Sequence, residues 1–248
     1  MDNFETNILQ SIQLAPYIQV ATALIGKARK IGGNQFRHNW ATLGILIDHK
    51  MLEPVILKAG VIHDLKEDAP MDYYPEQIRL IDSDGSRVVE LVEELSVRGS
   101  ESKIIYLQRV MLEGSREAKI IKLADRISNL IDIQLGTFDI VKVKQTLAET
   151  KDYILPYAKE INENMYLEMA DLVTSRTKYV QQTIEVITKG VLEQLKDILI
   201  SADNLEEIVT AAPFTIDDLR KEFIGAFHKI KTELTSDFII SNIYRKIY

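Results

Sequence analysis

The stretch Ala59-Gly-Val-Ile-His-Asp-Leu65 places an ionisable pair, His63 and Asp64, inside an apolar segment. Pro54 suits the first turn of a helix, and the apolar spacing behind it predicts one helix that stops near Pro70. An imidazole and a carboxylate buried there without partners would cost free energy, so the pair needs compensation. A divalent cation is one such partner, because this ligand chemistry suits zinc, manganese or iron better than calcium.

Two residues far away in the chain are candidates to complete a metal site, His38 and Asp125. Asp125 interrupts an apolar helical pattern, and Asn129 follows it one turn later on the same helix face. Each residue alone has a plainer explanation; Lys122 or Arg126, for example, could pair with Asp125 without any metal. A common metal explains all of these polar residues together more simply than separate accidents.

Helical periodicity dominates the rest of the chain, and no run of strict alternation predicts a strand. The fold class predicted is therefore all-α. Besides the helix that begins at Pro54, the predicted helices cover 12–30 (ended by Gly32-Gly33), 36–49, 75–80, 86–95, 103–112, 118–135 (closed by Gly136) and 138–159 (bent at Pro156).

The chain changes character near residue 162, after which long helical patterns carry no cluster of catalytic residue types. Thr215-Ile-Asp-Asp218 predicts a helix start, and an apolar stripe over 219–234 is typical of a core or of a seam with a partner helix. We expect a catalytic domain over 10–165 and a helical extension over 166–248. The extension could form a packing layer, a homo-oligomer interface or a docking site for a regulator.

Composition narrows the classes of partner. The net charge of −7 predicts repulsion of nucleic-acid polymers, although a basic cluster over 116–126 leaves room for a small phosphorylated ligand. The chain contains no cysteine, which excludes disulfides and thiolate metal sites. No stretch approaches the ~20 apolar residues of a membrane span, and the acidic start does not resemble a signal peptide. A cytoplasmic location is the default expectation.

The order His38, His63-Asp64, Asp125 resembles the H…HD…D ligand set of the HD phosphohydrolases. The surroundings resemble one branch of them, the RelA/SpoT-type hydrolase modules that remove pyrophosphate from (p)ppGpp-type alarmones. The resemblance covers about residues 18–160. The stretches that carry it are Ala28-Arg-Lys-Ile-Gly32, Gly60-Val-Ile-His-Asp-Leu-Lys-Glu-Asp68, Ile121-Lys-Leu-Ala-Asp-Arg-Ile-Ser-Asn129, and Glu149-Thr150 with Pro156 and Ala158.

This resemblance implies an HD-domain helical bundle with additional C-terminal helices, and it assigns roles. One divalent ion, manganese by resemblance, would be held by His38, His63, Asp64 and Asp125. Glu67 and Asp68, four residues after the dyad, would position and activate water, which agrees with a metal lowering the pKa of bound water. The implied substrate-binding residues are Arg29, Asn129, Lys122 and Arg126, with Lys103 and Arg109 as weaker candidates. The implied reaction is hydrolysis of the 3′-pyrophosphate of a guanosine alarmone.

Departures from the family pattern concern substrate recognition. Ile31 stands where a small hydroxyl residue is usual, Asn34-Gln-Phe-Arg37 replaces a tyrosine-containing stretch, Asn39 replaces a proline, and Ile131-Asp132 replaces an arginine-threonine pair. Such changes can alter the base that a site accepts. The alternatives are an HD phosphohydrolase acting on an adenine alarmone or another phosphorylated nucleotide, or a non-catalytic module that senses nucleotides. We find no synthetase motif in 165–248.

Overall fold

The computed structural model describes residues 3–29, 32–133 and 140–203. Within them the chain is helical apart from loops and one isolated antiparallel bridge, Ala28 with Asn34, so the all-α prediction is confirmed. The helices are α1 (Asn3–Ser11), α2 (Ala15–Ala21), α3 (Gln35–Asp48), α4 (Pro54–Ile62), α5 (Leu65–Asp68), α6 (Pro75–Arg79), α7 (Gly85–Leu95), α8 (Lys103–Glu113), α9 (Arg116–Asp132), α10 (Ile140–Tyr153), α11 (Leu155–Ile161) and α12 (Glu163–Asp203). Short 3-10 turns cover Thr22–Gly26 and Pro70–Asp72.

The chain forms two compact units, one of 1–138 with 145–176 and the other of 139–144 with 177–248. The first unit contains every candidate site residue. The described part of the second is the beginning of α10 and the later part of α12. The predicted division after residue 165 falls inside α12 and stays a prediction. The predicted cap at 215–218 and the stripe over 219–234 lie outside the described residues, as do Ile31 and the predicted helix closure at Gly136.

Helix α4 runs through the core of the first unit and packs against α2, α3, α7 and α9. Its residues Ile56, Leu57 and Ile62 are fully buried. A side chain at Gly60 would come within 2.6 Å of Leu46 Cδ1, so glycine allows α3 and α4 to pack closely. This packing brings the C-terminal end of α4 against α3 and α9.

The predicted helix over 12–30 is wrong in its second half. Pro16, which has no backbone N–H, lies in the first turn of α2, and the helix ends in the 3-10 turn that closes at Gly26. The chain is then extended, and Arg29 and Gly33 join through a backbone hydrogen bond of 3.1 Å. Gly32 and Gly33 have φ of 95° and 72°, a conformation that glycine adopts without strain. The glycine pair therefore closes a tight loop rather than a helix.

The helix predicted from Pro54 to Pro70 is interrupted at the ionisable pair itself. Helix α4 ends at Ile62, and His63 and Asp64 form a turn. Helix α5 follows, with a hydrogen bond of 2.9 Å from Asp68 N to Asp64 O. The helix predicted over 138–159 is likewise two helices, because Pro156 lies in the first turn of α11 instead of bending α10.

Within the described ranges, no single helix is long and apolar enough to cross a membrane. The bent pair 4–11 and 15–26, whose two parts meet at 61°, reaches that length and composition only when the parts are taken together.

Candidate metal centre

Three side chains from three helices converge in the first unit. His38 lies on α3, His63 follows α4, and Asp125 lies on α9; all three are buried, and one ligand atom of each lies within 4.8 Å of the others. His38 Nε2 is 3.0 Å from Asp125 Oδ1, and His63 Nε2 is 3.9 Å from the same oxygen. Two imidazoles and a carboxylate in this arrangement could hold a divalent cation.

Asp64 lies beside the same centre. Its Oδ2 is 3.3 Å from His63 Nε2 and 3.6 Å from His38 Nε2. The oxygen also accepts a hydrogen bond of 2.7 Å from Gln35 Nε2, on the first turn of α3. Asp64 thus faces both imidazoles, although it stands outside the tighter group of His38, His63 and Asp125.

The second nitrogen of each imidazole is held in a way that turns Nε2 toward the centre. His38 Nδ1 is 3.0 Å from Ser128 Oγ, and His63 Nδ1 donates to the Gly60 carbonyl at 2.8 Å. Since a carbonyl can only accept, neutral His63 carries its proton on Nδ1 and offers a lone pair at Nε2. That Nε2 is buried without a hydrogen-bond partner among the described residues. A metal ion would satisfy this atom, and metal-bound histidines are usually oriented in this way.

Charges in the centre shift the pKa values of its members. Burial opposes a charge on His63, but the carboxylates of Asp64 and Asp125 outweigh it and raise the pKa of His63 to about 10. Burial also opposes a charge on Asp64, but the two histidines lower the pKa of Asp64 to about 2. Without a metal, a proton on His63 therefore compensates the carboxylates, and a bound cation would take the place of that proton.

The two acids of α5 differ in their surroundings. Glu67 Oε1 accepts a hydrogen bond of 2.7 Å from the backbone N–H of Val97. Asp68 is exposed to solvent, yet partial burial of its carboxyl, with the charges of Asp64 and Glu67, raises its pKa. The structure therefore holds Glu67 in place, and the pKa of the Asp68 carboxyl lies above its usual value.

Arg29 is joined to the centre through α9. The amide Nδ2 of Asn129 donates to Asp125 Oδ1 at 2.6 Å, and the amide oxygen accepts from Arg29 NH2 at 2.9 Å. The other terminal nitrogen of Arg29 forms an ion pair with Asp132. Sequence analysis anticipated neither this pair nor the resulting fixed position of the guanidinium.

A group of cationic side chains lies on the other side of Asp125. Lys122 Nζ donates to Asp125 Oδ2 at 2.6 Å and lies 5.0 Å from the centroid of the Tyr106 ring, as does Lys103 Nζ. Burial and the charge of Lys122 lower the pKa of Lys103. Arg126 is buried; its NH2 is 3.8 Å from Glu149 Oε2.

Arg126 and Arg109, both predicted to contact substrate, differ in the hydrogen bonds that their guanidinium groups form. The buried Nε of Arg126 has no hydrogen-bond partner among the described residues, so this guanidinium retains a donor. Arg109, by contrast, is bonded to both carboxylate oxygens of Glu101 and to the carbonyls of Glu94 and Ser96. Through these four acceptors, Arg109 fixes the loop before α8, which is a structural role.

A cavity of about 310 Å³ adjoins the metal centre, with His38 in its wall. The size is at the lower end of the range for small-molecule sites. Its lining residues are Arg29, Gly32, Gly33, Asn34, Arg37, His38, Ala41 and Asp132. The loop that holds Arg29 and the last turn of α9 thus face a space that could hold part of a ligand.

Sequence reasoning missed residues that support the candidate ligands. Gln35, which bonds to Asp64, lies three residues before His38, and Ser128, which contacts His38, lies three residues after Asp125. Each therefore lies on the same face as the candidate ligand of its own helix. That spacing was a usable signal. The contact of Ser128 with His38 joins α9 to α3 and depends on the tertiary fold, which spacing within one helix does not reveal.

No protein-family model matches the chain. The chain is 28% identical over 111 residues to the guanosine-3′,5′-bis(diphosphate) 3′-pyrophosphohydrolase MESH1 of Drosophila melanogaster, a match that covers 44% of this chain and 58% of the relative. The chain thus matches less than two thirds of that relative. A solved structure reported under the words "A metazoan ortholog of SpoT hydrolyzes ppGpp and plays a role in starvation responses" superimposes with a TM-score of 0.58. It is 24% identical and covers 66% of this chain and 94% of its own.

Proposed function

From this likeness to HD-type alarmone hydrolases in sequence and fold, we propose that the chain is a metal-dependent hydrolase that removes the 3′-pyrophosphate of (p)ppGpp-type alarmones. The observation that carries the proposal is the buried Nε2 of His63, which lacks a hydrogen-bond partner among the described residues and faces a second imidazole and two carboxylates. Such an atom is costly unless it carries a proton shared with these carboxylates or binds a cation in place of that proton. The guanosine substrate is taken from the activity named for the relatives.

The residues that would hold the cation are His38, His63, Asp64 and Asp125. Manganese is the ion we propose, and zinc and iron share its preference for this ligand chemistry. A bound ion would supply Lewis-acid chemistry and would lower the pKa of a water molecule at the site toward neutrality.

The chain's own residues would then perform the remaining work. Asp68, with its raised pKa, accepts the proton of the attacking water, while Glu67 orients that water from its fixed position on Val97 N–H. The water oxygen bonds to the phosphorus attached to O3′, and the bond from that phosphorus to O3′ breaks. Pyrophosphate leaves, and O3′ takes up a proton.

Substrate charge would be met by the cations around Asp125. The charges of Lys122, Arg126 and Lys103 would stabilise the phosphate oxygens of the substrate. Asn129 bonds to both Asp125 and Arg29 and so fixes their relative positions. From the resemblance, we also expect Asn129 to contact a phosphate or ribose group of the substrate. The partner is thus a small nucleotide rather than a nucleic-acid polymer. Manganese identity, a cytoplasmic location and a homo-oligomer through the C-terminal helices stay predictions.

The test is a hydrolysis assay with the purified chain of residues 1–248, ppGpp and Mn²⁺, in which pyrophosphate and the nucleoside 5′-diphosphate are separated by ion-exchange chromatography. We expect equal amounts of the two products and complete loss of turnover with a chelator. A parallel series with the adenosine alarmone and with 3′- and 5′-phosphorylated nucleotides tests the alternative substrates. Tight binding of ppGpp without turnover under every metal would favour the sensing module and contradict the proposal.

A further inference from the structure

The cavity beside the metal centre contains one carboxylate, that of Asp132, among its described lining residues. Asp132 is the last residue of α9, and its side chain is 24% exposed. Its Oδ2 pairs with Arg29, and no described residue forms a hydrogen bond with its Oδ1. One acceptor oxygen is therefore available to a ligand.

The charge of Asp132 restricts which part of a nucleotide can lie against it. A carboxylate repels phosphate oxygens, and the ion pair cancels much of the positive charge that Arg29 would otherwise offer them. The cations that suit phosphates are Lys122, on the other side of Asp125, and Arg37, which lines the same cavity. The neutral part of the nucleotide, which carries N–H donors, is thus the part that the Asp132 end of the cavity accepts.

Resting on the proposed function, we propose that Asp132 selects guanine at this site. Guanine presents two adjacent donors on its Watson–Crick edge, N1–H and the 2-amino group, which match Oδ1 of Asp132 and the lone pair that remains on Oδ2. Adenine presents the acceptor N1 next to its 6-amino group, so a lone pair would face the carboxylate. The residue stands at a position where the sequence departs from the family pattern, so the use of a carboxylate to select guanine is what the proposal assigns to this chain.

The experiment compares kcat/KM for the guanosine, inosine and adenosine alarmones, with Mn²⁺, in the parent protein and in Asp132→Asn. The parent should prefer guanosine to adenosine by about 100-fold, and inosine, which lacks the 2-amino donor, should fall between them. Asp132→Asn can still accept from Arg29 but presents an amide donor to the base, so the preference should drop by about tenfold or more. An unchanged ratio in Asp132→Asn, or a parent that favours adenosine, overturns the proposal.

Two controls separate other causes. Asp171→Asn removes an acid from an exposed position on α12 and should leave the ratio unchanged. The 2′-deoxyguanosine alarmone tests the ribose: if its disadvantage, rather than the base ratio, disappears in Asp132→Asn, then Asp132 binds the ribose and the proposal is wrong. If Asp132→Asn does not fold, Asp132→Ala takes its place in the same comparison, and an unchanged guanosine-to-adenosine ratio in that variant overturns the proposal. A parent that hydrolyses none of these nucleotides contradicts the proposed function itself.

Discussion

The two acids of α5 should contribute unequally to turnover, which sequence analysis did not distinguish. Asp68→Asn removes the carboxylate with the raised pKa, and loss of a general base slows turnover by about 100- to 10,000-fold, or about 3 to 5 kcal/mol of barrier. Glu67→Gln keeps an oxygen that accepts from Val97 N–H. Exchanging a charged acceptor for a neutral one weakens such a bond by about 1 kcal/mol, which predicts a loss of about fivefold.

The assay is kcat for ppGpp hydrolysis at saturating Mn²⁺ over a range of pH. A general base must be deprotonated, so activity should fall as the pH drops through the pKa of Asp68, which lies above the usual aspartate value. This acidic limb should vanish in Asp68→Asn and persist in Glu67→Gln. Equal losses in the two variants, or a limb that survives in Asp68→Asn, would refute the assignment.

Three further predictions test the surroundings of the site. Because a bound metal must displace the proton of His63, Mn²⁺ affinity measured by calorimetry should rise about tenfold per pH unit from pH 7 to 9, with proton release; a flat profile contradicts this. Ser128→Ala removes the hydrogen bond to an imidazole nitrogen and should weaken Mn²⁺ binding about 10- to 100-fold at unchanged melting temperature, whereas unchanged affinity would show that the contact is dispensable. Lys58→Met leaves two carboxylates, those of Asp82 and Asp84, without their buried cation and should lower the free energy of unfolding by about 3 to 5 kcal/mol in urea titration; a loss under 1 kcal/mol would contradict it.

The all-α class and the candidate ligands were predictable because their signals are local. Apolar spacing predicts helices, and a polar residue such as Asp125 is conspicuous inside such a pattern. The break at His63 and Asp64 was not predictable, since the apolar spacing continues through it and the turn depends on where hydrogen bonds end. The spacing of apolar residues alone cannot show that a helix is interrupted at one pair of residues.

The pairing of Arg29 with Asp132 was beyond sequence reasoning for another reason. The two residues are 103 positions apart, and only the packing of α3 on α9 brings their segments together. Considered alone, Asp132 is only a position at which the sequence departs from the family pattern. Its role becomes evident only from its ion pair with Arg29.

The spacing of residues along α9 sets the minimum length of a ligand that contacts both ends of the site. Asp125 and Asp132 are seven residues apart, which corresponds to about 10 Å along the helix axis. A ligand that places an anionic group at one end and an N–H donor at the other must therefore span that interval. Free pyrophosphate is too short to do so, and it would occupy only the Asp125 end of the site, where Lys122 lies.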